Sequence, residues 1–130
     1  MKYLIDTDRV IDYLQGKEPA IELLESFAQD GAAISLITYG EIYEGVYYGK
    51  SRERHEQGFR RFLQIVDVVS LNASILEEFA RIRGLLRSQG QIIGDLDLLI
   101  AATALHHDLI VVTRNVRHFV RIPELQLYAE

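Results

Sequence analysis

Gly94-Asp95-Leu96-Asp97-Leu98-Leu99-Ile100-Ala101-Ala102-Thr103-Ala104 sets two aspartates at the mouth of a helix that is otherwise almost wholly apolar. A helix without a polar stripe belongs inside a core. Its carboxylates therefore emerge at a fixed place beside that core, at the end where the helix dipole favours negative charge. A second Asp-x-Asp, Asp6-Thr7-Asp8, ends the apolar run Tyr3-Leu4-Ile5. If the two points meet in space, four carboxylates crowd together and call for a cation.

Outward from that helix, strands alternate with helical patterns. Residues 2–5 read as a short buried strand, and Val10, Ile11, Tyr13 and Leu14 as a first helix closed by Gly16. Pro19 suits the first turn of a second helix that Gly31 stops. Residues 32–35 form a second strand, and Thr38 opens a helix bearing Ile42, Tyr43, Val46 and Tyr47. The charged stretch 50–61 leads into a third strand near 66–71, followed by an amphipathic helix over 73–89. Residues 109–113 are the clearest strand, and a last short one is expected near 125–128. Such alternation predicts an α/β fold, with a mainly parallel sheet covered by helices on both faces and its ligand site at the carboxyl ends of the strands. Asp6 and Thr113 both fall there.

Composition sets the outer bounds. The 130 residues suit one domain over 1–130, and 48% apolar with 25% charged residues is the balance of an ordinary globular protein. The absence of cysteine excludes disulfides, zinc-thiolate sites and thiol catalysis. No segment reads as a signal peptide or a membrane span, so a cytoplasmic protein is expected. A net charge of −5 argues weakly against bulk nucleic-acid binding, although acidic metal ligands would account for several of those charges.

Each acid also has a purely local reading. Asp6 and Asp8 both suit a cap of the first helix, Asp6 less so because a carboxylate directly after a buried strand usually has something to bind. Asp95 suits a cap of the apolar one, leaving Asp97 in its first turn. Thr38-Tyr39-Gly40-Glu41 has the spacing of a capping box, with Glu44 a further candidate one turn on. Thr113, Asn115 and His118 follow a strand, while His106 and His107 suit dipole partners at a helix end. As a metal-ligand set these residues are hard oxygen donors, which select Mg²⁺ or Mn²⁺ over zinc and suit phosphate chemistry. Spacing alone leaves the capping readings open.

Four segments, taken in order, look like the motifs of PIN-domain ribonucleases. They are Tyr3-Leu4-Ile5-Asp6-Thr7-Asp8, Ile34-Ser35-Leu36-Ile37-Thr38-Tyr39-Gly40-Glu41-Ile42, Ile93-Gly94-Asp95-Leu96-Asp97-Leu98-Leu99-Ile100-Ala101-Ala102 and Val112-Thr113-Arg114-Asn115-Val116-Arg117-His118-Phe119. The chain resembles that family over essentially its whole length, and more narrowly the VapC toxins of VapBC toxin–antitoxin pairs. The resemblance implies a PIN-like single domain and hydrolysis of RNA phosphodiesters, with transfer or ribosomal RNA as the expected target, to inhibit translation. It implies Mg²⁺, with Mn²⁺ able to substitute, held by Asp6, Asp97 and Glu41, with Asp95 a further candidate. It also implies a homodimer, neutralised by a VapB antitoxin whose C-terminal segment lies in a groove and blocks the pocket. Arg114, Asn115, Arg117, His118 and Thr7 are the substrate-binding candidates.

Two positions depart from the family pattern. Asp8 stands where the family usually has Asn, and His118 falls at its fourth acidic position, so a second metal would be held more weakly. Lys50, Arg52, Arg54, Arg60 and Arg61 could meet RNA phosphates, although Glu53 and Glu56 make a solvated helix face an equal reading. Tyr39, Tyr43 and Tyr47 recur at helical spacing, suited to packing or to base stacking. Two other functions compete. A catalytically impaired PIN-like binding module would use its acids only as caps. A haloacid-dehalogenase-like phosphatase would need a lysine after a late strand, whereas the only lysines are Lys2, Lys17 and Lys50.

Overall fold

Strands of three or four residues suffice to feed two cores when their side chains alternate. The computed structural model describes residues 1–129, and in it four parallel strands line up in the order β3-β2-β1-β4. They are β1 (Tyr3–Ile5), β2 (Ala32–Ser35), β3 (Asp67–Val69) and β4 (Ile110–Val112). Tyr3 and Leu4 pair with Ala32 and Ala33 on one side, and β1 pairs with Ile110–Val112 on the other. Leu4, Ala33 and Val111 point to one face, where α5 (Ala73–Ser88) and α6 (Asp95–His107) cover them. Tyr3, Ile5, Ala32, Ile34 and Val112 point to the other. That face packs against α1 (Thr7–Leu14), α2 (Glu18–Asp30), α3 (Leu36–Tyr48) and α4 (Arg52–Phe62). The layered α/β architecture with helices on both faces is therefore the one expected from the alternation of elements.

Local chemistry explains most boundaries. Gly16 at φ 77° and Gly31 at φ 95° turn the chain where a side chain would be strained. Asn72 caps α5 by accepting the Ile75 N–H at 2.9 Å. The core of α6 is closed on all sides: Leu98, Ile100, Ala101, Ala102, Thr103 and Ala104 are buried, and Thr103 returns its hydroxyl to Leu99 O at 2.8 Å.

Three expectations need correction. Helix α3 starts directly after β2, because Ser35 accepts the Ile37 N–H at 3.0 Å and caps it. Thr38 is buried inside that helix and caps nothing. The strand expected near 125–128 is a single parallel bridge from Leu127 to Val111, fastened by Val111 N–H to Gln126 O and Tyr128 N–H to Val111 O, each 2.9 Å. A four-residue helix, α7 (Val116–Phe119), follows β4 and had no helical signal in so short a run. Among the described residues no helix is long and apolar enough to cross a membrane.

Candidate active site

Strand β1 is the switch point of the sheet, since β2 lies on one side of it and β4 on the other. In parallel α/β sheets the crevice beyond such strand ends is where ligands sit. Asp6 occupies it directly after β1 and is 5% exposed. One carboxylate oxygen accepts the Thr7 N–H at 2.8 Å, which makes Asp6 the cap of α1, and the other accepts the Thr113 hydroxyl at 2.7 Å. Burial pushes the Asp6 carboxyl up to about 7; the negative charges of Asp8 and Asp97 add to this, against the opposing pull of the two hydrogen bonds.

Asp8, read as a helix cap from its position, has a different task. Its Oδ2 accepts the Arg114 N–H at 3.0 Å and faces Thr113 Oγ1 at 3.4 Å, pinning the segment after β4 to α1. Its Oδ1 is buried without a hydrogen-bond partner. Glu41 is no capping-box member either. Its Oε1 accepts the Thr7 hydroxyl at 2.7 Å, and Thr38 Oγ1 lies 2.9 Å from that same hydroxyl. A hydroxyl has one proton to give. Thr7 gives it to Glu41, and Thr38 in turn supplies one to Thr7.

Helix α6 delivers Asp97 in its first turn, half-buried, with Oδ2 3.6 Å from His118 Nδ1 on α7. The two aspartates of α6 part company. The cap position is Gly94, and the Asp95 carboxylate, more than half exposed, pairs with Arg83 on α5 at 2.8 Å. Asn115 sits between the acid points: its N–H donates to Thr113 Oγ1 at 2.9 Å and its amide lies 2.7 Å from His118 Nδ1. A chain of contacts thus runs from Asp6 through Thr113, Asn115 and His118 to Asp97.

The rim is basic but partly committed. Arg114 Nε is 2.9 Å from Asp12 Oδ2, while Lys17 holds the other Asp12 oxygen at 3.1 Å. Arg117 is exposed. Asp12 was missed in the sequence, although it stands one helical turn after Asp8 and so on the same face of α1. Glu44 is exposed on α3, and His106 and His107 lie at the far end of α6. Of the charged stretch, Arg54 and Arg61 line a cavity of about 620 Å³ between α1, α3 and α4, with Ile11, Leu14, Ile42, Gly45, Val46 and Gly58, and with Glu41. Tyr39 and Tyr43 pack on Phe59, whereas Tyr47 is half exposed beneath Arg52.

The donors near the strand ends are carboxylate oxygens. Asp6 is buried among like charges, and Asp8 keeps an unpartnered buried oxygen, a set that fits a hard divalent cation. Among the described residues, no three His, Asp or Glu side chains already converge as a ready-made ligand cluster.

The PIN-domain family model matches residues 3–125. A ribonuclease VapC2 of Rickettsia felis is 33% identical over 130 residues, spanning 98% of this chain and 96% of that protein. A tRNA(fMet)-specific endonuclease VapC of Shigella flexneri is 29% identical over 126 residues, spanning 97% and 96%. The solved VapBC2 of Rickettsia felis, bound to a DNA fragment from its promoter, superposes with a TM-score of 0.92 at 30% identity over 98% of each chain.

Proposed function

This chain belongs to the PIN-domain family, among the VapC ribonucleases, and from that premise we propose that it is the toxin of a toxin–antitoxin pair that cleaves RNA with a divalent cation held by Asp6, Asp97 and Glu41. One observation carries the chemical part: a buried aspartate at the switch point of the sheet, its carboxyl raised by burial and by the charges of two further aspartates. A cation at that place, Mg²⁺ or Mn²⁺, would neutralise the phosphodiester and polarise an attacking water.

The chain's own residues supply the frame. Thr7 and Thr113 hold Asp6 by two hydrogen bonds, and Thr7 orients Glu41 by a third. Asp97 projects from the first turn of a helix that the core immobilises. The hydroxyls of Thr7, Thr38 and Thr113 engage one another or carboxylates, which suits attack by water over attack by a side chain. Arg114, Arg117 and Asn115 stand at the rim, where a backbone phosphate on either side of the cut would pass. A phosphatase of the haloacid-dehalogenase type lacks its lysine, since Lys17 is engaged with Asp12 and Lys2 and Lys50 are exposed.

The relative from Shigella flexneri is named for a transfer RNA; a folded RNA of that class is the substrate we assign. The groove between α1, α3 and α4 shares Glu41 with the site and is the seat we assign to the antitoxin. The test is cleavage of transfer RNA and of total RNA by purified protein in Mg²⁺, in Mn²⁺ and in EDTA. Asp6→Asn and Asp97→Asn are expected to lower cleavage by at least about a hundredfold while leaving circular dichroism unchanged. Cleavage that persists in EDTA or in either variant overturns the reading.

A further inference from the structure

Asp12 holds more positive charge than its own neutralisation needs. Its side chain is 7% exposed, on the face of α1 that also carries Asp8 one turn earlier. A buried carboxylate has to be paired. Lys17 meets that need with Nζ 3.1 Å from Oδ1, at a helix end where the Lys17 N–H also donates to Asp12 O at 3.2 Å. Arg114 is a second cation on the same group, with Nε 2.9 Å from Oδ2, and it comes from the segment after β4. Its main chain is fixed separately, because the Arg114 N–H donates to Asp8 Oδ2 at 3.0 Å. Two carboxylates one turn apart thus grip a single residue of the rim, one at the backbone and the other at the side chain.

That grip leaves one edge of the guanidinium open. The pairing uses Nε, and among the described residues no hydrogen bond or ion pair engages Nη1 or Nη2. The side chain is about half exposed, and Arg114 lines a hollow of about 430 Å³ together with Thr113 and Val116. Thr113 is the residue that donates to Asp6, so the hollow adjoins the site. The two terminal nitrogens of an arginine match the oxygens of a phosphate in parallel, which the single nitrogen of a lysine cannot do. A long side chain already held by a partner also has less rotamer freedom to lose when its ligand arrives.

We propose that Asp12 is a positioning residue, fixing Arg114 so that Nη1 and Nη2 take a backbone phosphate of the RNA beside the cut. The proposal rests on the ribonuclease reading given above, which placed Arg114 at the rim without saying what aims it.

The test is steady-state cleavage of transfer RNA in Mg²⁺, with KM and kcat read separately and a thermal midpoint taken for every variant. Arg114→Ala should raise KM about tenfold or more with kcat little changed, since it removes a charge-assisted contact away from the reacting atoms. Asp12→Asn keeps the shape of the side chain and should raise KM about three- to tenfold, the cost of ordering a loosened arginine on binding. In the Arg114→Ala background the same change should add nothing, because its target is gone. Lys17→Met removes the other cation and should leave KM unchanged. Arg114→Lys keeps the charge without the fork, so KM should stay raised. Arg114 is exposed, so this variant carries the test even if Asp12→Asn lowers the midpoint severely. An unchanged KM in folded Asp12→Asn, or the same rise in the Arg114→Ala background, overturns the proposal while leaving the ribonuclease reading intact. So does a KM raised equally by Lys17→Met, or the unaltered KM in Arg114→Lys. Absence of cleavage by the unaltered protein overturns both.

Discussion

Ionising Asp6 costs the folded protein free energy, because its carboxyl is buried at the end of a strand and faces the charges of Asp8 and Asp97. With its folded value near 7 and an ordinary value of 3.8, the folded state keeps a proton that the unfolded chain has already lost. Without a cation, stability contributed at this residue is present at acid pH, falls as pH rises from about 4 towards 7, and is flat above. Asp6→Asn escapes that penalty. In EDTA the variant should gain on the unaltered protein between pH 5 and pH 8, by an amount on the order of 2 kcal/mol, read as a difference in urea midpoints. An equal gap at both pH values would show that the carboxyl ionises without penalty. Residue types and their order were legible in the sequence; the local partners were not. Asp8, Asp95 and Glu41 all have the spacing of helix caps, yet Asp6, Gly94 and Ser35 occupy the cap positions. Spacing states what an acid could reach along its own helix. It is silent on Arg83 twelve positions before Asp95, or Thr7 on another helix from Glu41.

Helix α6 was the most readable element, because a run without a polar stripe has one place to go. Its burial also makes it the element whose packing aims the site. Ala101, Ala102 and Ala104 are fully buried between the sheet and α5. A larger side chain there must push the helix off its neighbours. Ala102→Leu should cost about 1–3 kcal/mol and shift Asp97 at the helix mouth. Cleavage should then fall well below the unaltered rate at a temperature where circular dichroism still reports a folded protein. Full activity in that folded variant would mean that the position of Asp97 is set by the loop before it and not by the helix. Helix α4 was harder to see. Phe59 and Phe62, three apart and fully buried, are its anchor in a run of charged residues, and Tyr43 ties it to α3 by donating to Glu56 at 2.8 Å. A composition dominated by arginine and glutamate reads as a solvated face. That describes its outer side and conceals the inner one.

At the scale of the whole molecule, the parallel order β3-β2-β1-β4 explains how acids from opposite ends of the chain meet. Asp6 follows β1, Thr113 follows β4, and Asp97 comes from the helix that leads into β4. Alternating strand and helix patterns made that arrangement legible, since a parallel sheet forces the loops after its strands to one edge. Surfaces are a different matter, because a groove is made by what is missing between helices. Gly45 and Gly58 leave the space between α1, α3 and α4 open, and a Cβ built at Gly45 meets nothing within 4 Å. That groove has apolar walls in Ile11, Leu14, Ile42 and Val46, basic edges in Arg54 and Arg61, and Glu41 at its junction with the site. An antitoxin segment seated there would be apolar with acidic flanks and would meet the catalytic acids through Glu41. Gly45→Phe fills the groove without straining the helix, where replacing glycine itself favours the helical state. The variant is expected to fold and to cleave RNA at close to the unaltered rate. Its inhibition by the cognate antitoxin should weaken by at least about tenfold, for a loss of about 1.4 kcal/mol in binding. Neutralisation at unchanged antitoxin concentration would place the inhibitory contact on another face of the molecule.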